Sequence, residues 1–271
     1  MKKIFKMIAT DMDGTLLKYH HEITPRTKRA LLEAKKQGIT IVVATGRPFQ
    51  TVKKYIAEHP YIDFFVVNNG AAIYDTKKKG YIIEHAFKSQ EVKDILEFAK
   101  TYTPHYEVHS EHAIYVHGHL RETFFKAMSK KLIGYEPIIL PLSDVSIFDQ
   151  VNATKILLIE EDQIKYDKLK SATKALGNYE VIQSQVAYID INLENISKGQ
   201  AITELANTLK MNLEDVIAFG DQENDLSMLQ VSGFGVAMEN AVPLVKKNAD
   251  HITNSADNEG VAKTIEEFVL F

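Results

Sequence analysis

The chain has no cysteine among its 271 residues. This absence excludes disulfide bonds, thiol catalysis and cysteine-ligated metal sites, and it is typical of a reducing compartment. No uncharged apolar stretch reaches the length of about 20 residues that a transmembrane helix needs. The short apolar run near the N-terminus is interrupted by Lys6 and ends at Asp11, with no small-residue cleavage site after it, so it does not resemble a signal peptide. We therefore expect a soluble cytoplasmic protein.

An excess of positive charge is also missing, because the formal net charge is -4. Nucleic-acid-binding domains are usually basic and carry a patch of Lys and Arg. The longest lysine run, residues 77–79, precedes Gly80 and is typical of a hairpin tip. We expect neither a nucleic acid nor a membrane as partner, and nothing in the sequence demands more than a monomer.

Buried strands alternate with amphipathic helices in the first part of the chain. The apolar runs 4–10, 40–44 and 64–67 read as strands that are covered on both faces. Between the first two, Thr24 can cap a helix that Gly38 closes. A β-α-β-α-β order predicts a parallel sheet with right-handed crossovers.

The pattern changes in the middle of the chain and later returns. Hairpin-like runs mixed with helices, including a predicted helix at 121–133, indicate an α+β domain at 85–191. The alternating pattern resumes near Ser197. We predict an α/β fold in which residues 1–84 and 192–271 form a doubly wound core with a mainly parallel, Rossmann-like sheet. The α+β domain is inserted into this core as a cap.

Polar motifs follow three of the predicted strands, and a fourth lies at a predicted helix start. In open α/β sheets, ligands bind at the carboxyl ends of the strands, so we expect these motifs to meet at one edge. They are Asp11-Met12-Asp13-Gly14-Thr15, Thr45-Gly46-Arg47, Ser197-Lys198-Gly199 and Gly220-Asp221-Gln222-Glu223-Asn224-Asp225.

These residue types suit phosphoryl transfer. Asp11, Asp13 and Asp221 gather negative charge that is costly without a cation, and Mg²⁺ is the usual hard cation beside phosphate. Thr45 and Lys198 can hold phosphoryl oxygens. Asp11 would attack phosphorus to form an aspartyl phosphate. Asp13 would protonate the leaving alcohol and then deprotonate the hydrolytic water.

The chain resembles the haloacid dehalogenase superfamily of phosphatases, whose four motifs match the four polar motifs in order. It is similar in particular to the Cof-type subgroup, which has a large α/β (C2B-type) cap. That subgroup tends to carry three further stretches, found here as Asn69-Gly70-Ala71, Ala237-Met238-Glu239-Asn240-Ala241 and Asn258-Glu259-Gly260-Val261.

The resemblance implies roles for particular residues. It makes Asp11 the nucleophile and a metal ligand, and Asp13 the acid/base that also binds the metal through its backbone carbonyl. Asp221 would be the third metal ligand, and Asp225 would orient the metal shell or Lys198. The predicted phosphate contacts are Thr45, Gly46, Lys198 and Asn224. Dehalogenases of the superfamily lack a carboxylate at the position of Asp13, which favours hydrolysis of phosphate esters.

Each motif also has a simpler interpretation when it is taken alone. An isolated Asp-x-Asp-Gly is more often a turn, and Lys198 alone would be a solvated lysine. Arg47 is interpreted equally well as a substrate contact or as part of a surface ion pair. For Asn69, a role in the turn is the preferred interpretation. The constellation of motifs, rather than any one of them, favours the active-site reading.

The predicted cap contains a group of histidines: His105, His109, His112, His117 and His119. A second metal site or a leaving-group contact would be one interpretation. We prefer solvated hairpin histidines, because no carboxylate at ligand spacing completes a metal set.

Together these features predict a Mg²⁺-dependent phosphatase that acts on small phosphorylated metabolites. A phosphomutase with the same motifs and a non-catalytic phosphometabolite-binding protein are the alternatives. The sequence does not choose among sugar phosphates, pyridoxal phosphate, flavin mononucleotide and other small esters.

Overall fold

A computed structural model describes residues 4–19, 22–110, 113–118, 138–177 and 179–270. The predicted helix at 121–133, together with His112 and His119, lies outside these described residues. None of the described helices is both long enough and apolar enough to cross a membrane.

Strands alternate with helices near both ends of the chain. The strands are β1 (Met7–Asp11), β2 (Thr40–Ala44), β3 (Phe64–Val67), β4 (Ala72–Asp75), β5 (Gly80–Glu84), β6 (His105–Ser110), β7 (Ile114–His117), β8 (Ile139–Pro141), β9 (Ala153–Ile159), β10 (Tyr179–Gln185), β11 (Tyr188–Leu193), β12 (Val216–Gly220), β13 (Phe234–Ala237) and β14 (His251–Ile252). The helices are α1 (Pro25–Lys36), α2 (Phe49–Glu58), α3 (Ser89–Lys100), α4 (Gln163–Lys174), α5 (Lys198–Thr208), α6 (Leu226–Val231), α7 (Pro243–Lys247) and α8 (Gly260–Phe268).

The first sheet has eight strands in the order β14-β13-β12-β1-β2-β3-β4-β5. Strand β1 lies between β12 and β2 and runs parallel to both, and β4 is antiparallel to β3. All five residues of β1 are buried, as expected for a central strand of a parallel sheet. The strand begins at Met7 rather than at the predicted residue 4, because Ile4 is 70% exposed and outside the sheet.

Helix α1 follows the local signals in its sequence. The Thr24 side chain accepts a hydrogen bond from the backbone N–H of Thr27, and Pro25 occupies the first turn. Gly38 follows the helix with a φ of +84°, a conformation that glycine adopts without a steric penalty. The apolar stripe of α1, which includes Ala30, Leu31 and Ala34, is buried.

The second sheet has six strands in the order β10-β11-β9-β6-β7-β8. All the neighbouring pairs are antiparallel except β7 and β8. One face packs with α3 and α4 into an apolar core that contains Tyr106, Val108, Ile156, Leu158 and Ile191. The mixed sheets and their helices confirm the predicted α/β class.

The chain divides into two compact units. The first comprises Met1–Thr45, Glu58–Ile82 and Ser197–Phe271, and the second comprises Gly46–Ala57 and Ile83–Ile196. The second unit therefore contains most of α2 as well as the second sheet. The predicted domain boundaries and the role of residues 85–191 as a cap stay predictions.

One of the predicted cap histidines differs from the expectation of solvated side chains. His109 lies on β6 and is only 3% exposed. Its Nε2 atom is 3.2 Å from a carboxylate oxygen of Glu107, two residues away on the same strand face. His117 instead stacks its ring on Tyr106, with ring centroids 4.5 Å apart.

Candidate active site

The parallel register of the first sheet brings the polar motifs of β1, β2 and β12 to one edge. Asp11, the last residue of β1, pairs with Ala44 of β2. The preceding residue, Thr10, pairs with Phe219 of β12. The chain therefore leaves all three strands at the same level, directly before Asp13, Thr45 and Asp221. This is the edge at which open α/β sheets bind ligands.

Lys198 is the first residue of α5 and points into this edge. The side chain of Ser197 caps the helix by accepting a hydrogen bond from the N–H of Gln200. The Nζ atom of Lys198 lies 2.6 Å from Asp11 Oδ1 and 2.6 Å from Asp225 Oδ1. Because Lys198 is 1% exposed, it is not a solvated helix-start lysine.

Asp225 connects Lys198 to the loop that follows β12. Its Oδ2 atom accepts hydrogen bonds from the backbone N–H groups of Asp221 and Gln222, both at 2.9 Å. Its Oδ1 atom accepts from Lys198. The Asp225 carboxylate thus fixes the start of this loop and the ammonium group at the same time.

Asp221 is held by three side chains, one of which is the adjacent Gln222, whose Nε2 donates to Asp221 Oδ2 at 3.0 Å. The other two, Thr15 and Asn240, had no predicted role. Thr15 Oγ1 donates to Asp221 Oδ1 at 2.8 Å. Asn240 Nδ2 donates to the carbonyl of Gly14 at 2.8 Å and lies 3.4 Å from Asp221 Oδ2. Both residues belong to stretches that resemble the superfamily, so their presence there was the available signal. Their contacts across the fold were not readable from the sequence.

Two glycines allow the loops to approach this closely. Gly14 has a φ of +85°, and a Cβ atom there would lie 2.5 Å from Asp221 Oδ2. A Cβ at Gly220 would lie 2.4 Å from the Cβ of Asp225. A side chain at either position would displace one of the carboxylates.

Asp11, Asp221 and Asp225 form a buried group, here called the carboxylate cluster. Each offers one carboxylate oxygen, and these oxygens lie within 4.8 Å of one another. Lys198 is the ammonium group that neutralises part of this charge. Three buried carboxylates beside one ammonium leave a formal excess of negative charge, which is costly without a further cation. Oxygen donors at this spacing fit a hard divalent cation.

The pKa values of these groups are consistent with crowded negative charge. Burial, followed by the Asp225 carboxylate, raises the pKa of Asp11 well above its usual value. Burial and Asp225 also raise the pKa of Asp221. Burial alone would lower the pKa of Lys198, but the nearby carboxylates of Asp11 and Asp225 outweigh it and raise that pKa. Each carboxylate disfavours ionisation of its neighbours, whereas the ammonium group is held in its charged form.

The remaining predicted residues lie in different surroundings. Asp13 is half-buried and is not a member of the carboxylate cluster. Thr45 is buried, and its backbone N–H donates to the carbonyl of Val66 at 2.9 Å. Gly46 and Arg47 belong to the second compact unit, where the Arg47 guanidinium lies 5.7 Å from the ring centroid of Tyr55.

Asn224 and Asn69 contact each other within the first unit. Asn224 Nδ2 donates to Asn69 Oδ1 at 2.9 Å. Asn69 has a φ of +58° and donates its backbone N–H to the carbonyl of Thr45 at 3.1 Å. Asn69 therefore serves the turn, as expected, and also holds the side chain of a predicted phosphate contact.

A comparison with protein families identifies the class of protein. The model of the haloacid dehalogenase-like hydrolases matches residues 8–265, which is nearly the whole chain. The chain belongs to this family, and the predicted family is confirmed.

Individual relatives agree with this assignment. A Bacillus subtilis protein, 5-amino-6-(5-phospho-D-ribitylamino)uracil phosphatase YwtE, is 30% identical over 292 residues, with 97% of this chain and 98% of the relative covered. Phosphatase YwpJ of the same organism is 29% identical and covers 97% of this chain and 100% of its own length. A haloacid dehalogenase-like hydrolase from Bacteroides thetaiotaomicron has a TM-score of 0.85 at 29% identity, covering 97% of this chain and 99% of that structure. Together with the family, these relatives confirm the predicted enzyme class, a phosphatase of the haloacid dehalogenase type.

Proposed function

We propose that this phosphatase is Mg²⁺-dependent and hydrolyses small phosphorylated metabolites through an aspartyl-phosphate intermediate. The observation that carries this proposal is the buried carboxylate cluster, in which Lys198 is within 2.6 Å of both Asp11 and Asp225. Such a cluster costs folding stability, so its retention in a protein is best explained by a catalytic task.

The residues that would hold Mg²⁺ are Asp11, Asp221 and the backbone carbonyl of Asp13. When bound, the ion supplies positive charge that lowers the repulsion between a carboxylate nucleophile and an anionic ester. The contacts of Thr15 and Asn240 with Asp221 keep that carboxylate in place. Asp225 keeps Lys198 in place from the opposite side.

In the first chemical step, a carboxylate oxygen of Asp11 forms a bond to phosphorus. The bond between phosphorus and the leaving oxygen breaks, and Asp13 gives its proton to that oxygen. Thr45, Gly46, Lys198, Asn224 and Arg47 are the groups proposed to bind the phosphoryl oxygens or the ester during this step.

In the second step, Asp13 takes a proton from water as the water oxygen bonds to phosphorus. The bond between Asp11 and phosphorus breaks, which releases phosphate and restores both carboxyl groups to their starting states. The phosphoryl group is transferred to water in this step, which distinguishes a phosphatase from a phosphomutase of the same superfamily.

Two observations support a small substrate and the predicted location. The name of YwtE specifies a ribitylamino phosphate, which is a small phosphate ester with a hydroxylated chain. The absence of cysteine from the whole chain supports the predicted cytoplasmic location, a reducing compartment.

A screen of phosphate release tests this proposal. Purified protein is incubated with a panel of small phosphate esters with Mg²⁺, with EDTA, and with EDTA followed by excess Mg²⁺. We expect release that EDTA abolishes and Mg²⁺ restores. Substantial EDTA-resistant hydrolysis would overturn the role of the metal, and no hydrolysis of any ester would overturn the proposed function.

A further inference from the structure

The loop that joins β3 to β4 has an unusual backbone. Val67 pairs with Ala72, so residues 68–71 connect two antiparallel strands. The first three, Asn68–Gly70, have φ values of +50°, +58° and +112°, and they are called the left-handed segment below. A hairpin loop of this length is most often built around a type I turn, which needs no left-handed asparagine. A positive φ costs energy in a residue that has a Cβ, so the two asparagines point to a function of this segment.

The left-handed segment is also buried, unlike most hairpin loops. Asn68 and Asn69 are 2% and 1% exposed, and Gly70 is buried as well. Loops usually lie at the surface, where water satisfies their polar groups. A buried carboxamide instead needs partners within the protein, so the contacts of Asn69 indicate what the segment holds in place.

The left-handed segment contacts three of the four polar motifs, and all these contacts lie within the first compact unit. The backbone N–H of Asn69 donates to the carbonyl of Thr45 at 3.1 Å. The Oδ1 atom of Asn69 accepts a hydrogen bond from Asn224 Nδ2 at 2.9 Å. Gly70 lies against the start of α5, since a Cβ atom there would be 2.2 Å from the carbonyl oxygen of Ser197. The segment thus joins the loops that follow β2 and β12 to the first turn of that helix.

The contact with Asn69 sets the orientation of the Asn224 amide. A carboxamide oxygen only accepts hydrogen bonds, whereas a carboxamide nitrogen donates two. Asn69 Oδ1 therefore requires the nitrogen of Asn224 to face it, because rotation of that amide by half a turn would place two oxygens together. The same nitrogen has a second N–H group, which can donate to a phosphoryl oxygen. Without Asn69, the half-buried Asn224 side chain could present its oxygen, which repels an anion.

We infer that Asn69 is a positioning residue, which acts through Asn224 to turn an amide N–H group towards the phosphoryl group. The left-handed backbone brings the Asn69 side chain to Asn224 while Gly70 stays against Ser197. This inference rests on the proposed function, in which Asn224 binds the phosphoryl group or the ester. It adds a residue that acts on the phosphoryl group only through Asn224.

A double-mutant cycle tests whether Asn69 acts through Asn224. Asn69→Gly removes the side chain, and glycine adopts a positive φ freely, so the loop should persist. We expect kcat/KM for p-nitrophenyl phosphate to fall about tenfold in Asn69→Gly and about tenfold or more in Asn224→Ala. The double variant should be no slower than Asn224→Ala, which corresponds to a coupling of ~1.4 kcal/mol. Two independent roles would instead multiply the losses, to about 100-fold.

Lys210→Gly is the matched control for the backbone. Lys210 also has a positive φ, +55°, belongs to the same compact unit and is exposed. This variant should leave kcat/KM unchanged, and both glycine variants should change Tm only slightly. A loss of activity in Asn69→Gly that is equally large in the Asn224→Ala background would mean a general structural role and would overturn the inference. Wild-type kcat/KM in Asn69→Gly, or the loss of its cooperative unfolding transition, would overturn it as well.

The binding of inorganic phosphate separates this inference from the proposed function. Calorimetry in the presence of Mg²⁺ gives the Kd of phosphate for the wild type, the two single variants and the double variant. We expect the Kd to rise about tenfold in each single variant and no further in the double variant. If the wild type hydrolyses no ester but this pattern is found, the proposed function is wrong and the positioning role stands. If hydrolysis is found but the two losses multiply in both measurements, only the inference about Asn69 is wrong.

Discussion

The two polar groups of this protein differ in how far the chain satisfies them. In the carboxylate cluster, Lys198, Thr15 and backbone N–H groups hold all three carboxylates. The second group, here called the polar face, lies on one face of the second sheet and consists of the buried residues Glu107, His109, Lys155, Asp190 and Asn192. Of these, Asn192 keeps two amide atoms without partners among the described residues. The first group is fixed by the protein before any substrate arrives, as groups that carry out chemistry need to be. The second keeps hydrogen-bonding capacity that the described residues do not use.

Asp11→Asn should have the largest effect on turnover of all the variants. Such an effect would support the carboxylate cluster as the place where the reaction occurs. Multiple turnover should fall by about 10⁴-fold or more, because the amide cannot attack phosphorus. Stability should be unchanged or higher, since one of three crowded carboxylates is removed. Phosphate release and thermal unfolding measure the two effects.

Asp13→Asn is the companion variant. It should slow turnover by about 10²- to 10⁴-fold while the fold persists, because proton transfer to the leaving group is lost. Wild-type kinetics in Asp13→Asn would remove its assignment as acid/base. Wild-type turnover in Asp11→Asn would remove the nucleophile from the mechanism.

Lys198→Met tests whether the carboxylate cluster depends on its ammonium group. The substitution leaves buried carboxylates without a counter-charge and should cost ~3–5 kcal/mol of unfolding free energy. Added Mg²⁺ should recover more stability in this variant than in the wild type. Urea denaturation with and without Mg²⁺ provides the measurement.

Lys6→Met is its control, because the Lys6–Asp215 pair lies at the surface with the lysine side chain 55% exposed. Its loss should cost at most ~1 kcal/mol. Equal losses in the two lysine variants would mean that the cluster does not need Lys198.

Gly14→Ala should perturb the cluster through geometry alone. A methyl group there would lie 2.5 Å from Asp221 Oδ2, and displacement of that carboxylate should lower kcat/KM by about 100-fold. Gly38→Ala is the matched control, with a φ of +84° and no atom within 4 Å of an added Cβ. It should cost ~1–2 kcal/mol of backbone strain and leave catalysis intact. Similar losses of activity in both variants would mean that strain, and not contact with Asp221, is responsible.

The difference between the carboxylate cluster and the polar face also explains which parts of the structure could be predicted from the sequence. Asp11, Asp13 and Asp221 follow buried apolar strands, so a local pattern places them at one sheet edge once the parallel topology is inferred. The polar face has no local motif: its five residues are spread over β6, β9 and β11 between residues 107 and 192. Their proximity depends on strand order and register, which the sequence does not state. For the same reason, the contacts of Thr15 and Asn240 with Asp221 were missed.

His109 provides the last test, which has the smallest expected effect. It shows whether this histidine is buried, as in the structure, or solvated, as the sequence suggested. Burial lowers its pKa in the folded protein, whereas in the unfolded chain it should titrate near ~6.5. Above that pH both states are neutral at this position. Below it only the unfolded chain takes up the proton, so stability falls as pH decreases.

Between pH 7.5 and 5.5, the wild type should lose about 1 kcal/mol more unfolding free energy than His109→Gln. Glu107, Lys155 and Asp190 face His109 in both proteins, so the difference between the two denaturation curves isolates the histidine. Parallel pH profiles would mean that His109 is protonated as readily in the folded protein as in the unfolded chain. The group formed by Glu107, His109, Lys155 and Asp190 would then gain positive charge at mildly acidic pH.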